Sequence, residues 1–245
     1  MKTVAERPIC AVHQPNLFPR ISTLFKLYSA DVWIVLDDVQ FNARDYQNRA
    51  WLQSPDGTYG QWLTLATHKP DGRATRIKDV TLVDPLKSEK RLLALVKQFY
   101  GRCRRWPQLR PIIERIAESV RDHDGLAQVG ELSTRLLLND LGWHGTVVRS
   151  SSFNVSGERS ARLAELSSQF GSRRYLCGTG GARYLDIKPF EERQIAVQYV
   201  AVPDIPLLKQ RKNATALWWL SAVDWTELRS IFWTNWNNEQ RLLRD

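Results

Sequence analysis

Sulfur is scarce in this sequence. Three cysteines (Cys10, Cys103 and Cys177) and one methionine are spread over 245 residues. The cysteines form no CxxC pair, so neither a disulfide framework nor a cysteine-based zinc site is signalled. Of the four histidines, His68, His123 and His144 have no metal-ligand spacing and read as surface groups. No apolar run approaches the ~20 residues that a membrane-spanning helix requires. The start of the chain lacks the apolar core of a signal peptide. The expected setting is therefore reducing and cytoplasmic, without a membrane partner. GxSxG, HExxH and P-loop motifs are missing too, which excludes a hydrolase elbow, a zincin site and a Walker-type phosphate site. With no internal repeat and no low-complexity linker, the chain reads as one domain rather than an array.

Acidic residues are the minority charge. Thirty-five Lys and Arg stand against 26 Asp and Glu, a formal net charge of +9. That balance favours anionic partners such as nucleotides, sugar phosphates, RNA or a membrane surface, against the alternative of an unspecialised basic surface. The Arg102, Arg104, Arg105 and Arg110 cluster falls in a helical region and lacks the aromatic interleaving of an RNA-binding sheet. Apolar content of 43% and charged content of 25% are those of a soluble globular protein. Ten tryptophans are present; those of the tail, from Trp218 to Trp236, read as helix packing.

What the sequence does have is concentrated between Ile9 and Trp51. An apolar run, Ile9 to Val12, ends in the polar cluster His13-Gln14-Pro15-Asn16. A helix of about Ile21 to Ala30 follows, with Ile21, Leu24, Phe25, Leu27 and Tyr28 forming its apolar stripe. Lys26 lies off that stripe, free to reach solvent or ligand. A second apolar run, Val32 to Leu36, ends in Asp37-Asp38. Two strands joined through a helix read as a βαβ unit with parallel strands, whose carboxyl ends share one edge of the sheet.

His13 would serve there as acid/base or oxyanion stabiliser. Gln14 and Asn16 would orient the substrate, and Gln40 would stand near the acidic pair. Asp37 or Asp38 would act as base, hold an amine or ribose, or bind a divalent ion. The alternative is that one Asp caps a turn while the other pairs with an arginine such as Arg44 or Arg49. The loop Tyr46-Gln47-Asn48-Arg49 adds a phenol, amides and a guanidinium suited to bidentate anion binding, or else clamps the second strand.

Further along, QWLTLAT reads as a strand and His68 to Lys78 as a polar loop. Three helices follow, at Pro85 to Tyr100, Leu109 to Val120 and Leu126 to Leu141, the last closed by Gly142. They form a lid or helical subdomain over about 85–142. Strands at Thr146 to Val148, Arg174 to Cys177 and Ile195 to Val202 restore the α/β pattern, with a helix at Glu158 to Phe170. The Gly178-Thr179-Gly180-Gly181 turn, with Arg183 and Tyr184 behind it, could form an anion nest or be simply a turn.

The combination of HQPN, VLDDVQF, YQNR and GTGGARYLD resembles the WbqC-like protein family, from Cys10 to Trp62 and again near Tyr175 to Asp186. The resemblance implies a bacterial cytoplasmic protein associated with O-antigen or natural-product biosynthesis. Leu17 to Ser22 and Pro203 to Lys212 depart from the commoner family pattern. The β-strand, His loop, helix and Asp-ended strand also look like the start of an HxGH-type nucleotidyltransferase (HUP) domain, with Asn16 where a second histidine would stand.

The expectation is a single α/β domain with an open, mostly parallel sheet and a helical insertion. Its expected function is a transferase acting on an anionic or nucleotide-activated metabolite, moving an acyl or aminoacyl group to an amine, with a charged tRNA as one conceivable donor. The alternatives are a nucleotidyltransferase or ligase using ATP and Mg²⁺, and a non-catalytic nucleic-acid or carbohydrate binding module.

Overall fold

Four consecutive apolar residues carry the first strand, β1 (Ile9–His13), into the interior, where Cys10 and Ala11 are fully buried. The chain turns through α1 (Ile21–Tyr28) and returns as β2 (Val32–Val35), which pairs with β1 in parallel, Cys10 opposite Val32 and His13 opposite Val35. The βαβ unit expected from the sequence is present. The computed structural model describes residues 8–178, 180–201, 206, 211 and 214–242. Thr179 and most of the Pro203 to Lys212 segment lie outside the described residues.

After β2 come a hairpin of β3 (Arg49–Gln53) and β4 (Gly60–Thr64), and a small pair, β5 (Thr67–His68) with β6 (Thr81–Leu82). Three helices follow: α2 (Pro85–Tyr100), α3 (Trp106–Asp122) and α4 (Leu126–Asp140). Asp84 caps α2 by accepting from the Lys87 amide at 2.8 Å, with Pro85 in the first turn. Gly142, at φ +84°, ends α4 in the left-handed conformation, and the Trp143 amide closes back on the Leu138 carbonyl. The remaining elements are β7 (Thr146–Arg149), α5 (Arg159–Ser168), β8 (Arg174–Gly178), α6 (Lys188–Glu191), β9 (Ala196–Val200), α7 (Ala216–Ala222) and α8 (Trp225–Leu242).

The main sheet has the order β7-β2-β1-β8-β9, and every pairing in it is parallel. The chain first moves outward from β1 to β2 and β7, then crosses back to β8 and β9 on the other side of β1. That reversal puts a topological switch between β1 and β8, the position where doubly wound sheets open a crevice at their carboxyl ends.

Side chains alternate across the sheet as strand geometry requires. Ile9, Ala11, Trp33 and Val35 join the core shared with α1 to α4 and α7; Cys10, Val12, Val32 and Ile34 join the core shared with α5 and Phe190 of α6. The tail behaves as packing: Trp218 and Trp219 are buried, although Trp233 remains exposed.

Two local expectations are corrected. Arg49 belongs to a strand rather than a loop, because Ala50 and Leu52 turn inward and the hairpin with β4 draws it in. Lys26 is not free to reach solvent but only 6% exposed. Helix α1 is covered by β8, α4 and α7, so the side opposite its apolar stripe is buried as well.

Candidate functional site

The sheet delivers His13 to the carboxyl end of β1, and four further contacts fix it there. Its carbonyl accepts from the Trp33 indole at 3.2 Å and from the Leu36 amide at 2.9 Å. Its ring lies between Asn16 Nδ2, 3.1 Å from Nε2, and Lys26 Nζ, 3.3 Å from Nδ1. Lys26 also donates to the Val12 carbonyl at 3.0 Å.

Burial depresses both bases. Burial pushes the His13 imidazole well below its ordinary value, and the charges of Lys26 and Arg20 push it further. Burial likewise brings the Lys26 ammonium down to about 8, with Cys177 and Cys10 acting the other way. At neutral pH the imidazole is therefore neutral and able to accept a proton, beside a lysine that is mostly charged.

These groups open into a cleft of about 270 Å³ at the switch point. Val12 and His13 of β1, Arg20, Ser22, Thr23 and Lys26 of the α1 region, Tyr175, Cys177 and Gly178 of β8, and Gly180, Gly181 and Val200 line it. Among the described residues the lining holds a histidine, an arginine and a lysine and no carboxylate. A low-dielectric pocket with that charge favours a phosphate or carboxylate.

Close approach accounts for one of the glycines, Gly181. A Cβ on Gly178 would touch the Lys26 chain at 3.5 Å, and one on Gly181 would crowd the Cys177 sulfur at 2.9 Å. The amides of Gly181 and Ala182 donate to the Gly178 carbonyl, so they point within the turn.

The loop that carries His13 is anchored from three directions. Gln47 Nε2 donates to Gln14 Oε1 at 2.6 Å, and the Leu17 amide donates to the Tyr46 carbonyl at 2.9 Å. Helix α4 supplies Thr134, which donates to the Asn16 carbonyl, and Ser133, which accepts from the Phe18 amide, both at 3.1 Å. Phe18 sits at φ +51°, a strained conformation for a bulky residue, and is fully buried.

The acidic pair faces elsewhere. Asp37 is 2% exposed, and its carboxylate accepts from the Ser150 hydroxyl, the Ser151 amide and the Ser151 hydroxyl, at 3.1, 3.0 and 2.7 Å. Asp38 accepts from Ser150 at 2.6 Å and forms an ion pair with Arg162. Burial opposes its ionisation, but Arg162 and Ser150 outweigh that and hold its carboxyl below the usual range. The pair thus fastens β2 to the turn after β7 and to α5.

Of the candidate residues, His13, Lys26, Gly178, Gly180 and Gly181 meet at the cleft, with Asn16 holding the ring and Gln14 holding the loop. Gln40 caps the Arg73 carbonyl at 2.6 Å beside another groove. Asn48 is buried against the Leu65 carbonyl, Arg49 stacks on Trp62, and the Tyr46 ring reaches the site through Arg20, whose guanidinium lies 5.0 Å from it. Arg183 is exposed, and Tyr184 lines an apolar cavity of about 430 Å³ on the α5 side of β8.

Sequence reasoning missed Arg20, Ser22, Thr23, Tyr175 and Cys177 as lining residues. The position of Arg20, immediately ahead of a helix that starts at the mouth of the cleft, was the available signal. Among the described residues no group of three or more His, Cys, Asp or Glu could hold a metal ion, and no helix is long and apolar enough to cross a membrane.

Comparison with known proteins adds a relationship. The sequence model of the WbqC-like protein family matches residues 14–231, beginning just after His13. A Mycobacterium tuberculosis protein, Rv1507c, described as uncharacterized, is 22% identical over 189 residues, covering 77% of this chain and 80% of its own length. No solved structure matches.

Proposed function

Because the chain belongs to the WbqC-like protein family, and its switch-point cleft is cationic, we propose that it is a transferase acting on an anionic or nucleotide-activated metabolite. The observation that carries this reading is the lining itself: His13, Arg20 and Lys26 converge, with no carboxylate among the described residues that line the cleft. Lys26 and Arg20 hold the phosphate or carboxylate of the donor, and neutral His13 takes up a proton.

In the acyl or aminoacyl version, the amine nitrogen of a sugar or natural-product precursor attacks the donor carbonyl. A C–N bond forms and the acyl–oxygen or acyl–sulfur bond breaks. His13 accepts the proton released from nitrogen and returns it to the leaving group. Asp37 and Asp38 have no part in this step, since their oxygens are engaged by Ser150, Ser151 and Arg162. A charged tRNA is one donor that the positive balance of the chain suits, and a cytoplasmic, biosynthetic setting belongs to the same proposal.

A second reading, nucleotidyl transfer from ATP with Mg²⁺, is favoured by the strand order, which places a His-bearing loop at the first strand of a doubly wound sheet. It requires pyrophosphate release.

Thermal-shift measurements against ATP, CoA thioesters, nucleotide sugars and bulk tRNA separate these versions, because a ligand of the native state raises Tm by mass action. One of these anion classes is expected to stabilise the wild type by several degrees, and Arg20→Ala or Lys26→Met to lose most of that shift. His13→Ala should keep binding and lose turnover. If His13→Ala leaves both untouched, the reading fails.

A further inference from the structure

A row of aromatic rings and guanidinium groups leads away from the cleft, over the outer face of the β3–β4 hairpin. Along β3 the burial alternates, so that Ala50 and Leu52 face the core while Arg49, Trp51 and Gln53 are half-exposed on the other side. Trp51 meets its cross-strand partner Trp62 edge-to-face at 5.4 Å, and Tyr46 continues the row 5.7 Å from Trp62. The Arg49 guanidinium lies 4.1 Å from the Trp62 ring centroid, and Arg20, which lines the cleft, lies 5.0 Å from that of Tyr46. A tryptophan pair alone would pin a hairpin. The two guanidinium groups and the continuation to the cleft are what that role leaves over.

Beside this row lies a groove of about 540 Å³, bordered by Arg44, Lys69 and Arg73 and without a carboxylate among the described residues that line it. The two features are continuous, because the Arg49 side chain donates to the Arg44 carbonyl. Planar rings flanked by cations fit planar bases on an anionic backbone. A neutral sugar ring would use the rings but not the charges. The row holds three successive rings, more than one nucleotide covers, and base faces are open only in an unpaired strand.

We propose that this face binds a short single-stranded RNA segment, its bases against Trp62 and Tyr46, its phosphates on Arg49 and the Arg44–Arg73 groove, and one end directed past Arg20 toward His13. Only that last direction rests on the cleft being a transfer site.

The test is fluorescence anisotropy of the full chain with a labelled single-stranded RNA dodecamer, with the same sequence as a duplex, and with a neutral oligosaccharide as competitor. Saturable binding to the single strand is expected, tighter than to the duplex and weakening steeply with salt. Trp62→Ala and the exposed pair Arg44→Glu with Arg73→Glu should each weaken it tenfold or more, whereas Trp62→Phe keeps most of it. Trp62→Phe and the charge pair keep the proposal testable if Trp62→Ala fails to fold. The thermal shift given by small metabolites in the cleft should persist in these variants, so the two readings fail separately. Equal affinity for the duplex, no loss in the charge pair, absence of saturable binding, or displacement by the oligosaccharide would overturn the proposal.

Discussion

A lysine at 6% exposure beside a histidine sets function against stability. Burial lowers Lys26 to about 8 from an ordinary 10.5. The unfolded chain therefore binds the extra proton between those values, and stability rises with pH across that window; below pH 8 the buried charge exerts its full penalty. By that linkage the penalty at neutral pH is up to about 3 kcal/mol, less whatever the bond to the Val12 carbonyl returns. Lys26→Met should then melt at higher temperature than wild type at pH 7, with the gain fading by pH 10, while its anion-induced thermal shift disappears. Melting curves across pH 6–10 decide it, and a less stable Lys26→Met at pH 7 would contradict the argument. For His13, whose value is lowered, the unfolded chain gains the proton as pH falls below 6.5, so acid weakens folding through this residue. None of this was legible in the sequence. A lysine off the apolar stripe of a helix normally reaches water, and only the covering by β8, α4 and α7 makes this one a site residue. The engagement of Asp37 and Asp38 was equally illegible, because the serines that bind them are more than a hundred positions away.

At the scale of elements, the strands of the main sheet were legible because their apolar runs end abruptly in polar clusters, and α2 to α4 because their caps and periodicity agree. The wall behind the His13 loop was not. Helix α4 approaches that loop so closely that a Cβ on Gly130 would stand 3.0 Å from the Pro15 carbonyl carbon. Glycine in mid-helix costs about 1 kcal/mol relative to alanine, so its presence at that contact answers to packing rather than to the helix. Gly130→Ala should leave Tm within a few degrees of wild type, because the helix gain offsets the crowding. It should nonetheless weaken ligand binding, since the loop holding His13 and Asn16 must shift. Gly130→Val should lose both. Paired measurements of Tm and ligand affinity test this; Gly130→Ala with unchanged affinity would mean the loop position does not depend on α4. The hairpin β3–β4 was half legible: QWLTLAT alternates as a strand does, whereas Arg49, Trp51 and Gln53 supply an outer face whose polar and aromatic mixture hides the strand period.

The whole molecule joins the helical block and the parallel sheet through one apolar core. Leu92 and Val96 of α2, Ile113 and Ile116 of α3, and Leu137 of α4 belong to the same buried cluster as Trp33 and Val35 of β2, with Leu217 and Trp219 of α7 between them. Burial of this kind stabilises by roughly 25 cal/mol per Å² of apolar surface, and here the helices gain it against the rest of the chain as well as against one another. The segment over about 85–142 is therefore proposed to fold with the sheet rather than as a hinged lid. Urea unfolding followed by tryptophan fluorescence, which reports on the core around Trp33 and Trp219, should coincide with unfolding followed by far-ultraviolet circular dichroism, which is weighted toward α2 to α4. Leu137→Ala, in the helical block, should lower the midpoint of both curves together, by an amount corresponding to about 2–5 kcal/mol. Two separated transitions, or a Leu137→Ala effect confined to the helical signal, would show that the block is an independent unit and that the anchoring of the His13 loop by α4 can be released without unfolding the sheet.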